Sequence, residues 1–158
     1  MTQSLEQRLA DDLARAMRAG DEDGRRTLRS LRAAIKNAEI EAVAKHQLAR
    51  GESLDDALLM GVLQKQAKQR RDSIEQYSAG QREDLAEVER RELAIIESYL
   101  PQMLSEAEVE TLVREQIEAL GASGPADMGR VMGPVMQAIG GRAEGKLVSA
   151  TVRRLLTG

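Results

Sequence analysis

The spacing Gly140-x4-Gly145-Lys146 is the most chemically suggestive in this chain, because it matches the opening positions of a phosphate-cradling loop. Such a loop needs Ser or Thr next, to place a hydroxyl on magnesium, and here the residue is Leu147. It also follows a buried strand, whereas Val135 to Ile139 continues a helical pattern. The motif therefore reads as a corner between helices. That corner is basic: from Gly121 to Gly158 there are five cations, Arg130, Arg142, Lys146, Arg153 and Arg154, against Asp127 and Glu144. A cationic bend of this kind can hold an anionic partner.

Two further basic stretches lie upstream. Arg25, Arg29, Arg32 and Lys36 follow steps of four, three and four, which puts them on one helix face opposite an apolar row from Leu28 to Ala42. Lys65 to Arg71 holds four cations, with Lys68 and Arg71 sharing a face and Asp72 and Glu75 within pairing reach. Each stretch can grip a phosphate backbone, and each can equally be a solvated, ion-paired surface. Tyr77 and Tyr99 are the only aromatic residues, so stacking on single-stranded bases is not expected; an RNA partner would be folded and held by backbone and shape.

A different pattern occupies the sixth helix. Met128, Met132 and Met136 recur every four residues beside Gly129 and Gly133. The pattern reads as a small core where the sixth helix crosses the seventh, with a forgiving partner-binding surface at Met128, Gly129, Met132 and Gly133 as the alternative. Two glycines in one helix point to a specific packing need, since each costs about 1 kcal/mol relative to alanine.

Other chemistries find no residues. The chain lacks cysteine and has one histidine, His46, which sits in a polar helix end as a surface residue. Disulfides, thiolate metal sites and paired-imidazole sites are thereby excluded. Acidic pairs such as Asp11-Asp12 and Asp55-Asp56 suit first-turn or solvent roles. No catalytic residue, metal or cofactor is expected. No apolar run approaches the roughly 20 residues of a membrane span, and the first residues lack a secretory apolar stretch, so a cytoplasmic, soluble protein is the expectation.

The elements that position these residues are all helical. Apolar content of 42% supports a core built from aliphatic side chains, and charged content of 31% solvates the surface at a net charge of −3. A helix opens at Ser4, carries Leu5, Leu9, Leu13 and Met17, and closes at Gly20. The second runs from near Asp23 to about His46. The third runs from about Leu54 to Tyr77 with Ser53 as its N-cap. The fourth runs from about Glu83 to Leu100 and stops at Pro101. Ser105 and Glu108 predict a capping box for the fifth, which ends at Gly121. The sixth spans about Ala126 to Ile139 with a kink near Arg130 from Pro134, and the seventh about Lys146 to Leu156. The fold class is all-α, with a four-helix unit over residues 1–101 and a three-helix unit over 102–158.

Several separated motifs resemble the YqeY family. They are Lys68-Gln69-Arg70-Arg71-Asp72-Ser73, Ala79 to Ala86, Glu92-Leu93, Tyr99-Leu100-Pro101, Asp127 to Gly133 and Gly141 to Gly145. The C-terminal part also resembles the tail of GatB, the B subunit of glutamine-dependent aminoacyl-tRNA amidotransferase. That resemblance implies an accessory RNA-contacting module, because amide formation takes place in other domains of that enzyme. The catalytic cradle has no counterpart here, so carbon–nitrogen ligase activity with glutamine as amido donor is associated with the family and not expected of this chain alone.

Three functions follow as expectations. The first is a tRNA-associated accessory protein that grips folded RNA through Arg130, Arg142, Lys146, Arg153 and Arg154, with Arg29, Arg32, Lys68 and Arg71 secondary. The second is an adaptor docking on an amidotransferase or aminoacyl-tRNA synthetase subunit. The third is a helper of glutamine-dependent amidation of tRNA. DNA and membranes are not expected partners.

Overall fold

A computed structural model describes residues 2–158, and every regular element among them is helical. The order is α1 (Leu5–Ala19), α2 (Glu22–Ala44), α3 (Asp56–Ala79), α4 (Glu83–Glu97), α5 (Glu106–Leu120), a short 3₁₀ turn (Pro125–Asp127), α6 (Met128–Ile139) and α7 (Gly145–Thr157). The chain divides into two compact units, Met1–Leu100 and Pro101–Gly158.

The first unit packs α1 to α4 around Leu9, Leu31, Leu59, Leu63, Ala67 and Ile96, all almost fully buried. Local caps set the helix starts. Ser4 Oγ accepts from the Gln7 amide at 3.2 Å, and the Asp21 carboxylate accepts from the Gly24 amide at 3.0 Å. The start of α3 corrects the sequence reading. Its N-cap is Asp55, which accepts from the Leu58 amide at 2.8 Å, and not Ser53. Aspartate caps as well as serine, and this later start buries Leu54 just ahead of the cap in the same core as Leu59 one turn on. α4 stops at Glu97, three residues before Leu100, where Tyr99 and Leu100 amides turn back to Ile96 and Glu97 carbonyls. The Tyr99 hydroxyl donates to Asp12 on α1 while the Arg8 guanidinium lies 5.1 Å from the centre of its ring. Burial, then the Asp12 carboxylate, push the Tyr99 hydroxyl far above its ordinary pKa, so it is a permanent donor.

A polar cluster crosses this unit where α2, α3 and α4 meet. Glu92 on α4 is 8% exposed and accepts from Arg26 Nε at 3.2 Å. Arg70 Nε on α3 lies 3.6 Å from Glu92 and 3.9 Å from Glu89, while its guanidinium donates to Gln66 at 2.8 Å and to Ser30 at 3.1 Å. Arg26 also pairs with Asp23, which Arg91 reaches at 3.0 Å. Burial, then the neighbouring Glu92 charge, push the Glu89 carboxyl above its ordinary value. Each charge in the cluster depends on the others to compensate its lost hydration.

The second unit packs α5, α6 and α7 around Val109, Val113, Val131, Val135, Ile139, Val148 and Val152, each fully buried. The capping box at its entrance forms in both directions: the Glu108 amide donates to Ser105 Oγ at 3.2 Å, and the Ser105 amide donates to the Glu108 carboxylate at 2.8 Å. α6 continues through Pro134, which has no amide hydrogen to give the Arg130 carbonyl.

Removing one member of the Glu92 cluster strands the remaining charges. Glu92→Ala is expected to destabilise the protein by on the order of 3 kcal/mol, whereas Glu87→Ala on the exposed side of α4 stays within about 0.5 kcal/mol. Urea unfolding followed by circular dichroism checks the difference.

Candidate functional site

The corner between α6 and α7 is built by backbone conformation first. Gly140 and Gly141 take φ of 59° and 77°, left-handed values that a side chain would strain, and they turn the chain out of α6. Gly145 opens α7 and Lys146 follows in its first turn. A helix precedes the glycines, so the resemblance to a phosphate loop ends at spacing.

Three of the five cations around this corner are committed inside the unit. Arg130 donates to the Leu120 carbonyl at 2.7 Å, closing the last turn of α5, and pairs with Asp127 at 3.2 Å. Asp127 also accepts from the Ser123 amide at 2.9 Å, which fixes the loop between α5 and α6. Arg142 Nε donates to the Gln102 carbonyl at 3.1 Å, and its own carbonyl accepts from the Leu104 amide at 2.8 Å. These two bonds hold the corner to the segment that enters α5. Arg154 pairs at 2.9 Å with Glu110, which Arg114 also holds at 2.7 Å. Arg114, then Arg154, keep the Glu110 carboxyl below its ordinary value.

Lys146 and Arg153 differ. Both are exposed, and neither side chain makes a hydrogen bond or ion pair with a described residue. They stand seven residues apart on α7, on one face and ~10 Å apart along the axis. Lys146 also sits at the positive end of the helix dipole, where a cation is disfavoured, so nothing local explains it.

The upstream cations divide similarly. Arg25 pairs with Glu22, and Lys36 with Glu39 at 3.6 Å. Arg29 and Arg32, exposed on α2 between them, have no partner among the described residues. Lys68 pairs with Asp72 at 3.0 Å along α3, and Arg71 is half-buried there. Arg26, Arg70 and Glu92 are the residues that sequence reasoning missed. Their signal was present: Glu92 interrupts the apolar row Val88, Ile96, Tyr99 with a carboxylate, and such a group must find cationic partners.

The α6 pattern resolves into two faces. Met128 and Met132 are half-buried and pack against the core of the unit, as the small-core reading expected. Gly129 and Gly133 are exposed, and a Cβ at either would meet no atom within 4 Å, its two chain neighbours and the helix's own backbone aside. Met136, 39% exposed, borders them on the same outward face. Gly133 directly precedes Pro134 inside the helix, where a Cβ would crowd the proline ring, so the chain itself accounts for it; nothing in the chain accounts for Gly129.

These features define a two-unit helical protein with a small aliphatic C-terminal bundle, whose outward faces are a bare glycine stripe and a pair of unpaired cations. The family model described as Yqey-like protein matches residues 6–156, and the chain belongs to that family. It is 38% identical over 120 residues to Altered inheritance of mitochondria protein 41, mitochondrial, of Lachancea thermotolerans, covering 75% of this chain and 60% of the relative. The protein of the same name from Pyrenophora tritici-repentis is 34% identical over 152 residues, 94% of this chain and 79% of the relative. The Saccharomyces cerevisiae protein (strain YJM789) is 36% identical over 114 residues, 71% of this chain and 58% of the relative. The aligned part thus spans about three fifths of the length of the first and third of these relatives. Their names correct the cytoplasmic expectation, since each is named as a mitochondrial protein. No helix among the described residues is long and apolar enough to cross a membrane, but solvation of a helical surface carries no address.

The Asp127 interactions predict a pH dependence. The Ser123 amide, then Arg130, hold the Asp127 carboxyl below its ordinary value of 3.8. A lowered folded pKa gives stability that is full above 3.8 and is lost as pH falls through the folded value. Asp127→Asn is therefore expected to lower the thermal midpoint at neutral pH and to converge with the parent protein in strong acid. Melting curves at the two pH values check this.

Proposed function

We propose that this YqeY-family protein is a non-catalytic accessory module that docks through the outward face of α6 onto a protein of tRNA-handling machinery, an amidotransferase or aminoacyl-tRNA synthetase subunit. The observation that carries this reading is the exposed glycine face of α6, where Gly129 has no neighbour to justify it and Gly133 lies one turn on. A glycine inside a helix costs about 1 kcal/mol relative to alanine. An approaching backbone recovers that cost, because the absent side chains let it come close, and Met136 adds an adaptable apolar edge. The likeness of the C-terminal part to the amidotransferase B-subunit tail supports the class of partner.

A second reading, contact with folded RNA, is favoured by the unpaired cations. Lys146 and Arg153 on α7 are free to meet successive phosphates, with Arg29 and Arg32 as a separate pair on α2. Arg130, Arg142 and Arg154 serve this reading less well, since each would have to leave an internal partner. A helper role in glutamine-dependent amidation would follow from either docking mode without any catalytic group on this chain.

The two readings separate on substitution. Gly129→Ala is expected to raise stability by up to about 1 kcal/mol and yet weaken capture of amidotransferase or synthetase subunits in high-salt pull-downs treated with RNase. Unchanged capture would contradict docking through α6. For RNA, filter binding of tRNA by the Lys146→Gln/Arg153→Gln variant should show weaker affinity and a salt slope smaller by about two. An affinity indifferent to salt counts against that reading.

A further inference from the structure

The first unit contains a groove that the reading above does not use. It runs along α2 from Arg32 to Val43, bounded by the first turns of α1 and by the loop at Arg50 to Ser53. Those positions on α2 span ~16 Å of helix. Its volume of about 780 Å³ falls within the roughly 300–1,000 Å³ of small-ligand sites.

The lining is divided chemically. Ile40 is 58% exposed in this groove and Val43 is half-buried beside it, although the rest of the α2 apolar row is turned into the core. Apolar surface left in water at a concave site is where burial by a ligand gains most. The charges do not cancel in use. Lys36 and Glu39 satisfy each other at 3.6 Å, and the Glu52 carboxylate is engaged by the Ala49 amide at 3.0 Å. The Arg32 and Arg50 side chains make no hydrogen bond or ion pair with a described residue, and the opposing Glu6 is a single exposed carboxylate on α1. Unengaged guanidinium groups beside an exposed aliphatic strip select a ligand with an acidic head and an apolar chain.

We propose that this groove binds a free, single-chain anionic amphiphile, an aliphatic carboxylate or phosphate monoester. The acidic head is drawn to Arg32 and Arg50, and the chain lies along Ile40 and Val43. The site belongs to the Met1–Leu100 unit and does not rest on the docking role of the other unit.

Nuclear magnetic resonance titration of the full chain with laurate, dodecyl phosphate and dodecyltrimethylammonium, each below its micelle concentration, tests it. Laurate and dodecyl phosphate are expected to shift the amides of Ala33, Ile40, Val43 and Gly51. Dodecyltrimethylammonium and inorganic phosphate are expected to leave them in place. Arg32→Gln/Arg50→Gln and Ile40→Asp should each weaken laurate binding by about tenfold or more. Leu58→Asp, at a similarly exposed leucine on α3 outside the groove, should leave it unchanged. Equal affinity for the cationic amphiphile, shifts that map elsewhere, or undiminished binding by the arginine variant would overturn the proposal. So would binding to anionic vesicles without binding to the free amphiphiles, which would place the recognition on a bilayer.

Discussion

Two arginine-to-carbonyl hydrogen bonds fix the shape of the C-terminal unit. With only the residues from Pro101 to Gly158 to work with, its core is a small cluster of aliphatic side chains, mostly valines, too small to set every loop by packing alone. Arg130 closes the end of α5 through the Leu120 carbonyl, and Arg142 ties the α6–α7 corner to Gln102. A guanidinium suits this task because its planar fork stays charged and can satisfy a carbonyl and a carboxylate together. The consequence reaches function. Cations used to close loops are not at the disposal of a polyanion, so the outward chemistry of the unit reduces to the glycine face of α6 and the pair Lys146 and Arg153.

The N-terminal unit solves a similar problem with charge buried between helices. Glu92 draws Arg26 and Arg70 together from α2 and α3, and the three lose less by burial together than any would alone. Hydrophobic packing gives these helices their contact. The cluster adds register, because a helix slipped by one turn would leave a carboxylate or a guanidinium without a partner. The same unit leaves Arg29, Arg32 and Arg50 outside this network, and two of these face the groove on α2.

Helices, their order and much of their capping were legible from residue types. Ser105 and Glu108 announce a reciprocal cap that the structure forms, because both partners lie within one turn of chain. Asp55 displaced Ser53 as the α3 cap for a reason local pattern underdetermines: three capping-competent residues lie together, and burial of Leu54 chooses among them. The site was legible to a lesser depth. Periodicity places Lys146 and Arg153 on one face and the glycines of α6 on another. It says nothing of Glu110 reaching Arg154, or Gln102 reaching Arg142, since those pairs are about forty residues apart and exist only through tertiary packing. The methionines and glycines of α6 looked like one pattern, but a 100° step per residue turns Met128 and Met132 toward the core and leaves Met136 with the glycines.

The central claim is that the bare face of α6 is where a partner sits. The chain contains no cysteine, so a single one can carry a photo-crosslinker to a chosen position. Gly129→Cys and Met136→Cys on that face can be compared with Glu115→Cys on the exposed side of α5. Covalent adducts with amidotransferase or synthetase subunits from the first two positions, and not from the third, are the predicted result. Adducts from Glu115→Cys alone, or equal yields from all three, would contradict it.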